Sequence, residues 1–181
     1  MHIVKPRGTA TVEDLLNLSY DGLKRELVNG EILVSPAGWE HSEITIKIIC
    51  ILATFLEDHP VGKLATPDLG IWLSGGNLRC PDVTFIRSEK VPKGEKRKKF
   101  LDSVPDLAVE VLSPSDRPGF VSEKISEFLA NGVPIVWLVN PSDKTVTEHR
   151  SRPEIKEYSG DDVISAEPIL PGFSCPISRF F

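Results

Sequence analysis

"PDLAVEVLSP", residues 105–114, is the stretch on which the fold turns. Leu107, Ala108, Val109, Val111 and Leu112 are apolar in both parities of a pleat, the pattern of a strand buried on both faces. Glu110 interrupts it. An unpaired ionised carboxylate there costs several kcal/mol or more, so a partner must offset that cost.

After this strand comes a helical pattern over about 119–131, closed by Asn131-Gly132, and then the apolar run "PIVWLVNP" at 134–141. Strand, helix and strand in this order predict two parallel strands joined by a right-handed crossover, with the helix on one sheet face. "KTVTEHR" (144–150) alternates and adds an antiparallel strand, while the tail "ISAEPILPGFSCPISRFF" (164–181) is loop-rich and apolar enough to dock.

Before the strand, "KLATPDLGIWLS" (63–74) and "RCPDVTFIRS" (79–88) read as strands bounded by turn residues, and "EKVPKGEKRKKF" (89–100) as a basic loop. "RELVNGEILVSP" (25–36) is a hairpin about Asn29-Gly30. In that register Val28 faces Glu31 and Glu26 faces Leu33, so both glutamates share one face. "HSEITIKIICILATFLEDHP" (41–60) is a helix with Ser42 as expected N-cap, apolar nearly all round and therefore deeply buried or part of a subunit interface. "TATVEDLLNLS" (9–19) predicts a short helix with acids in its first turn. With no internal repeat or linker, residues 1–181 are expected to form a single domain.

Lys and Arg number 21 against 26 acids, a net charge of -5 that argues against coating nucleic acid through bulk electrostatics. Cys50, Cys80 and Cys175 are odd in number and far apart, without a Cys-x-x-Cys pair. No signal-like N-terminus is visible, and the apolar run from Ile44 to Leu56 is too short to span a bilayer. A reduced, cytoplasmic protein without a membrane segment is expected, and the greasy helix makes a homodimer plausible.

Asp82 opens one apolar strand and Glu110 lies within another, and adjacent strands aim two carboxylates at one point. A hard divalent cation such as Mg2+ is held by one or two carboxylates, a carbonyl and waters, and would neutralise Glu110. Together "RELVNGEILVSP", His41, "RCPDVTFI", "PDLAVEVLSPSDR", Lys124, "NGVPIVWLVNP" and "LPGF" cover about residues 20–175. This ordered set resembles the bacterial Uma-two family of restriction endonuclease-like proteins, within the PD-(D/E)XK nuclease superfamily. The resemblance implies an α/β, restriction endonuclease-like fold: a mixed, bent β-sheet flanked by helices.

Superfamily nucleases carry Glu-x-Lys on the second strand, but here Leu112 stands where the lysine should be. The resemblance implies that the lysine has moved to the next helix as Lys124. Val121, Ile125, Phe128 and Leu129 form the sheet-facing stripe of that helix; Lys124 lies just off its edge, where a lysine stem can run along apolar surface. Glu123 and Glu127 fall farther toward solvent. The implied chemistry is phosphodiester hydrolysis by a metal-dependent endonuclease, with nucleic acid, DNA first, as partner. Asp82, Glu110 and the Val111 carbonyl would hold Mg2+ or Mn2+, and Lys124 would orient water or stabilise charge. Glu31, ranked just above Glu26, would complete the site; His41 and Ser113 are candidates for supporting contacts.

Each residue has a plainer reading. Glu110 could pair with an internal cation, Asp82 could start a strand, Lys124 could be a surface lysine, and Glu26 and Glu31 could line a solvated hairpin face. Ser113 and Ser115 could cap the following helix. Lys90, Lys93, Lys96, Arg97, Lys98 and Lys99 could touch a phosphate backbone or simply be solvated. Trp72 and Trp137 read as core, whereas Trp39, beside His41, could be a functional aromatic. The rivals to a nuclease are an inactive domain of the same fold that binds nucleic acid or a protein, and a two-carboxylate glycosidase without metal.

Overall fold

The computed structural model describes residues 8–18, 23–35, 38–94, 100–151 and 154–181. Helix α1 (Val12–Leu16) opens on a capping box in which the Thr11 side chain accepts from Asp14 N–H and the Asp14 carboxylate accepts from Thr11 N–H. Strands β1 (Lys24–Val28) and β2 (Glu31–Ser35) form the expected hairpin, with Val28 opposite Glu31 and Glu26 opposite Leu33. Asn29 and Gly30 both take positive φ, 50° and 72°, as a two-residue turn of this hand requires.

Helix α2 (Trp39–Asp58) begins before the expected start. Gly38 is the N-cap, and the Ser42 hydroxyl sits inside the first turn, donating to the Gly38 carbonyl at 3.0 Å. A serine in the first turn resembles a cap in sequence, but here its hydroxyl back-bonds. His41 consequently stands on the helix rather than before it.

Next come β3 (Gly62–Ala65), β4 (Ile71–Trp72), β5 (Leu78–Arg79) and β6 (Val83–Arg87). "RCPDVTFIRS" is thus two strands, broken at Cys80-Pro81-Asp82, because Pro81 cannot donate to a ladder. Strand β7 (Leu107–Val111) is buried at every residue. Helix α3 (Pro118–Ala130) leads to β8 (Ile135–Asn140), parallel to β7, and β9 (Thr145–Arg150) pairs antiparallel with β8. Ser113 and Ser115 do not cap α3: its N-cap is Arg117, and the first helical residue, Pro118, lacks an N–H to cap. The tail supplies β10 (Ile155–Ser159), β11 (Val163–Ser165) and β12 (Ser174–Pro176).

The strands divide between a six-stranded mixed sheet, β10-β9-β8-β7-β6-β3, a four-stranded antiparallel sheet, β2-β1-β5-β4, and the pair β11-β12. Between Arg79 and Val83 the chain passes from the smaller sheet to the larger. Alternation along β7 then sorts its side chains. Leu107, Val109 and Val111 pack with Ile44, Ile48 and Leu52 of α2 and with the tail residues Phe173, Ile177 and Phe180. Ala108 packs on the other face with Ile125 and Phe128 of α3. Glu110 shares the parity of Ala108, so the pleat aims it toward α3. Each large side chain buried in this way contributes about 1.5–3 kcal/mol.

Candidate active site

Five segments meet at Glu110. It projects from β7, and the Lys124 ammonium on α3 lies 2.6 Å from its Oε1. The same ammonium is 2.8 Å from Glu26 Oε1 on β1. Asp82, at the crossing between the sheets, is 2% exposed and engaged through both oxygens. Its Oδ2 accepts from Val111 N–H (2.8 Å) and contacts His41 Nε2 (3.1 Å), while Oδ1 accepts from Lys24 Nζ (2.7 Å). Since a carboxylate only accepts, His41 Nε2 carries the hydrogen.

A second tier fixes the first. Glu26 also accepts from Cys80 N–H at 2.8 Å, and Arg79, 4% exposed, bridges Glu26 Oε2 (3.2 Å) and Glu127 Oε2 (2.7 Å). Glu127 lies three residues after Lys124 on α3, so Arg79 ties that helix to β1 beside Lys124 and Glu110. The expectation that Glu127 faces solvent is therefore corrected. Asn77 joins it by donating to Glu127 Oε1 and accepting from Asn29 N–H.

The charges are shared unevenly. Burial alone would raise Asp82, but the His41 hydrogen bond and the charges of Lys24 and Lys124 hold it well below the usual carboxylate range. Glu26 is likewise lowered, its burial outweighed mainly by Lys124 and Lys24. Burial dominates at Glu110: only partly offset by Lys124 and Lys24, it pushes the carboxyl up to about 7. Lys124 stays charged, since burial is outweighed by Glu110, Glu26 and Asp82 around it. Glu110 is thus the last of the three carboxylates to ionise. Burial pushes the Cys80 thiol up to about 12, which makes it inert as a nucleophile.

A cavity of about 620 Å³ opens onto this cluster and is lined by Asp82, Glu110, Val111, Lys124, Glu26, His41 and Ser113 among others. Seven of the eight residues singled out in the sequence thus share one wall. Glu31 does not line it. It shares the hairpin face of Glu26 but pairs with Val28, two residues and about 7 Å closer to the turn. Lys24 and Arg79 are site residues that the sequence reading missed. Lys24 had a signal, being two residues before Glu26 in the same strand and so on the same face.

The donors suit a hard cation: Glu110, bonded among the described residues to Lys124 through Oε1, offers Oε2, and Asp82 keeps one acceptor site on Oδ1, which Lys24 alone holds. No group of three or more His, Cys, Asp or Glu side chains converges on a metal position among the described residues. That is compatible with magnesium, which usually takes one or two carboxylates and keeps several waters. Elsewhere, Lys90 donates to buried Asp106 (2.9 Å), Lys93 is exposed, and Lys96, Arg97, Lys98 and Lys99 lie outside the described residues. Trp137 is core, its Nε1 donating to Glu148 at 3.0 Å, and Trp72 packs edge-on against Phe100. Trp39 is 86% exposed and outside the cavity wall.

Among the described residues, no helix is long and apolar enough to cross a membrane. No curated protein matches the chain. Among solved structures, a "putative nuclease belonging to DUF820" from Anabaena variabilis ATCC 29413 superposes with a TM-score of 0.81 at 20% identity. The match covers 94% of this chain and 97% of that one, and at this identity it establishes the restriction endonuclease-like fold alone. The model of the Uma2 (Uma-two) family, described as "Putative restriction endonuclease", matches residues 12–178. With that match spanning nearly its whole length, the chain belongs to the Uma2 family of restriction endonuclease-like proteins.

Proposed function

We propose that the protein is a magnesium- or manganese-dependent endonuclease that hydrolyses phosphodiester bonds of DNA, with Asp82, Glu110 and Lys124 at its reacting centre. The observation that carries this reading is the 2.6 Å contact of Lys124 with Glu110. It supplies from α3 the ammonium that the strand lacks at Leu112. Held by Asp82, Glu110 and the Val111 carbonyl, the cation would polarise the phosphate and lower the pKa of water.

The remaining work falls to the chain itself. Lys124, gripped by Glu26 and Glu110, is fixed well enough to orient the attacking water or to meet negative charge developing on the phosphate. Arg79 keeps Glu26 in place, and His41 and Val111 N–H keep Asp82 from turning away. Lys24 is a second ammonium at the cavity wall, able to face phosphate oxygens. Free thiols at Cys50, Cys80 and Cys175 suit a cytoplasmic setting. The homodimer expected of α2 would use its outer face, where Trp39 and Ile46 are 86% and 62% exposed, and light scattering at micromolar concentration tests it.

One observation favours the rival of binding without cleavage: Lys24 already neutralises Asp82, at 2.7 Å. Cleavage of single-stranded, double-stranded and branched DNA with Mg2+ or Mn2+ separates the two. The nuclease reading requires activity in the wild type that is lost in Asp82→Ala, Glu110→Ala and Lys124→Ala. A wild type that cuts nothing, or a Glu110→Ala variant that cuts equally well, refutes it.

A further inference from the structure

The cavity is larger than a phosphate needs. Its volume of about 620 Å³ lies within the roughly 300–1,000 Å³ of sites that enclose whole small molecules. Part of its wall is apolar, built from Leu23, Leu33, Val34, Leu112, Phe120 and Val121. Three of these stay open to solvent: Phe120 at 55%, Val34 at 45% and Leu23 at 42%. Single exposed apolar residues are ordinary, but three around one cavity give it an apolar rim beside its charged groups, the combination found in small-molecule sites.

The charges on the same wall narrow what covers it. Glu26, Asp68, Asp82, Glu110 and Asp116 face Lys24, Arg79, Arg117 and Lys124, so among the described residues the lining carries no cationic excess. Lys24, Arg79 and Lys124 are each paired with carboxylates of the same wall. Arg117 makes no ion pair among the described residues, and it sits exposed at the start of α3, three residues before Phe120. Gripping a duplex by its backbones commonly takes roughly six to ten phosphate contacts from Lys and Arg. An unpaired nucleotide asks instead for a charge near its phosphate and an apolar face for its base.

We propose that this cavity takes an unpaired nucleotide, so that the substrate is single-stranded or locally unpaired nucleic acid whose base beside the scissile phosphate stacks on Phe120. This rests on the phosphodiesterase reading above and specifies its substrate. Arg117 then meets the neighbouring phosphate, and Leu23 and Val34 add further apolar rim for the base.

The test is binding, measured apart from cleavage. Fluorescence anisotropy of a short labelled DNA, single-stranded or annealed, is recorded with calcium as the hard cation for wild type, Phe120→Ala and Phe120→Trp. The single strand is expected to bind more tightly than the duplex. Phe120→Ala should lose about tenfold on the single strand, within the value of one base–aromatic stack. It should lose little on the duplex, and Phe120→Trp should retain the affinity with its indole emission quenched by the strand. An abasic residue in the strand should erase the difference between wild type and Phe120→Ala. Equal or tighter binding of the duplex, or an unchanged Phe120→Ala, overturns the proposal. Stacking on Phe120 without any cleavage in magnesium would uphold this site while sinking the hydrolytic reading, whereas duplex cleavage indifferent to Phe120 would do the reverse.

Discussion

Glu110 is held folded at a cost that pH should reveal. In the unfolded chain its carboxyl titrates near 4.5, and in the folded protein burial raises it to about 7. Below pH 4.5 both states hold the proton, and the residue costs nothing. Between 4.5 and 7 the unfolded chain has released its proton while the folded one retains it, so stability falls with rising pH at up to about 1.4 kcal/mol per unit. Above 7 both are ionised, and the full cost, about 3 kcal/mol, persists. Glu110→Gln imitates the protonated form at every pH and leaves Lys124 paired with Glu26. Urea unfolding in EDTA, followed by fluorescence of the fully buried Trp137, measures the difference. Near pH 5 the variant should almost match wild type; near pH 8 it should be more stable by about 3 kcal/mol, a midpoint shift of about 1–3 M urea. A difference that does not change with pH, or a variant less stable near pH 8, would mean that Lys124 more than offsets the burial of Glu110, and the reasoning would fail.

Lys24→Met removes the ammonium that competes for Asp82, so calorimetric titration should find tighter manganese binding than in wild type; unchanged or weaker affinity would show that Lys24 does not compete. Arg79→Ala takes one partner each from Glu26, which keeps Lys124 and Cys80 N–H, and Glu127, which keeps Asn77, and should cost about 1.5–3 kcal/mol in urea unfolding. Gly30→Ala places a Cβ 2.4 Å from the Gly8 backbone at a φ of +72°, and a thermal unfolding midpoint lower by several degrees is expected.

Local chemistry explains which features could be read before the structure. Asn29-Gly30 dictated a turn, and the turn dictated the register of β1 and β2. The double-sided apolar run at 107–111 required a central strand, and Glu110 stood out because that strand had no other charge. What alternation supplies is a face, never a distance along it. Glu26 and Glu31 were therefore indistinguishable until the position of β5 and α3 against β1 chose Glu26. The start of α2 was hidden because its cap, Gly38, has no side chain to announce it. Arg79 and Glu127 were invisible for a different reason: each looks like a surface residue until the other, 48 residues away, is brought beside it.

The crossing between the two sheets also bears on how the molecule comes into being. Asp82 meets Lys24 across 58 residues and His41 across 41, and Lys124 closes the cluster from still farther along the chain. Contacts of such long sequence separation form late and slowly. A chain still leaving the ribosome lacks the Lys124 contacts to Glu26 and Glu110 until α3 has emerged and docked. The hydrolysis proposed for this cluster is therefore withheld from chains that end before α3.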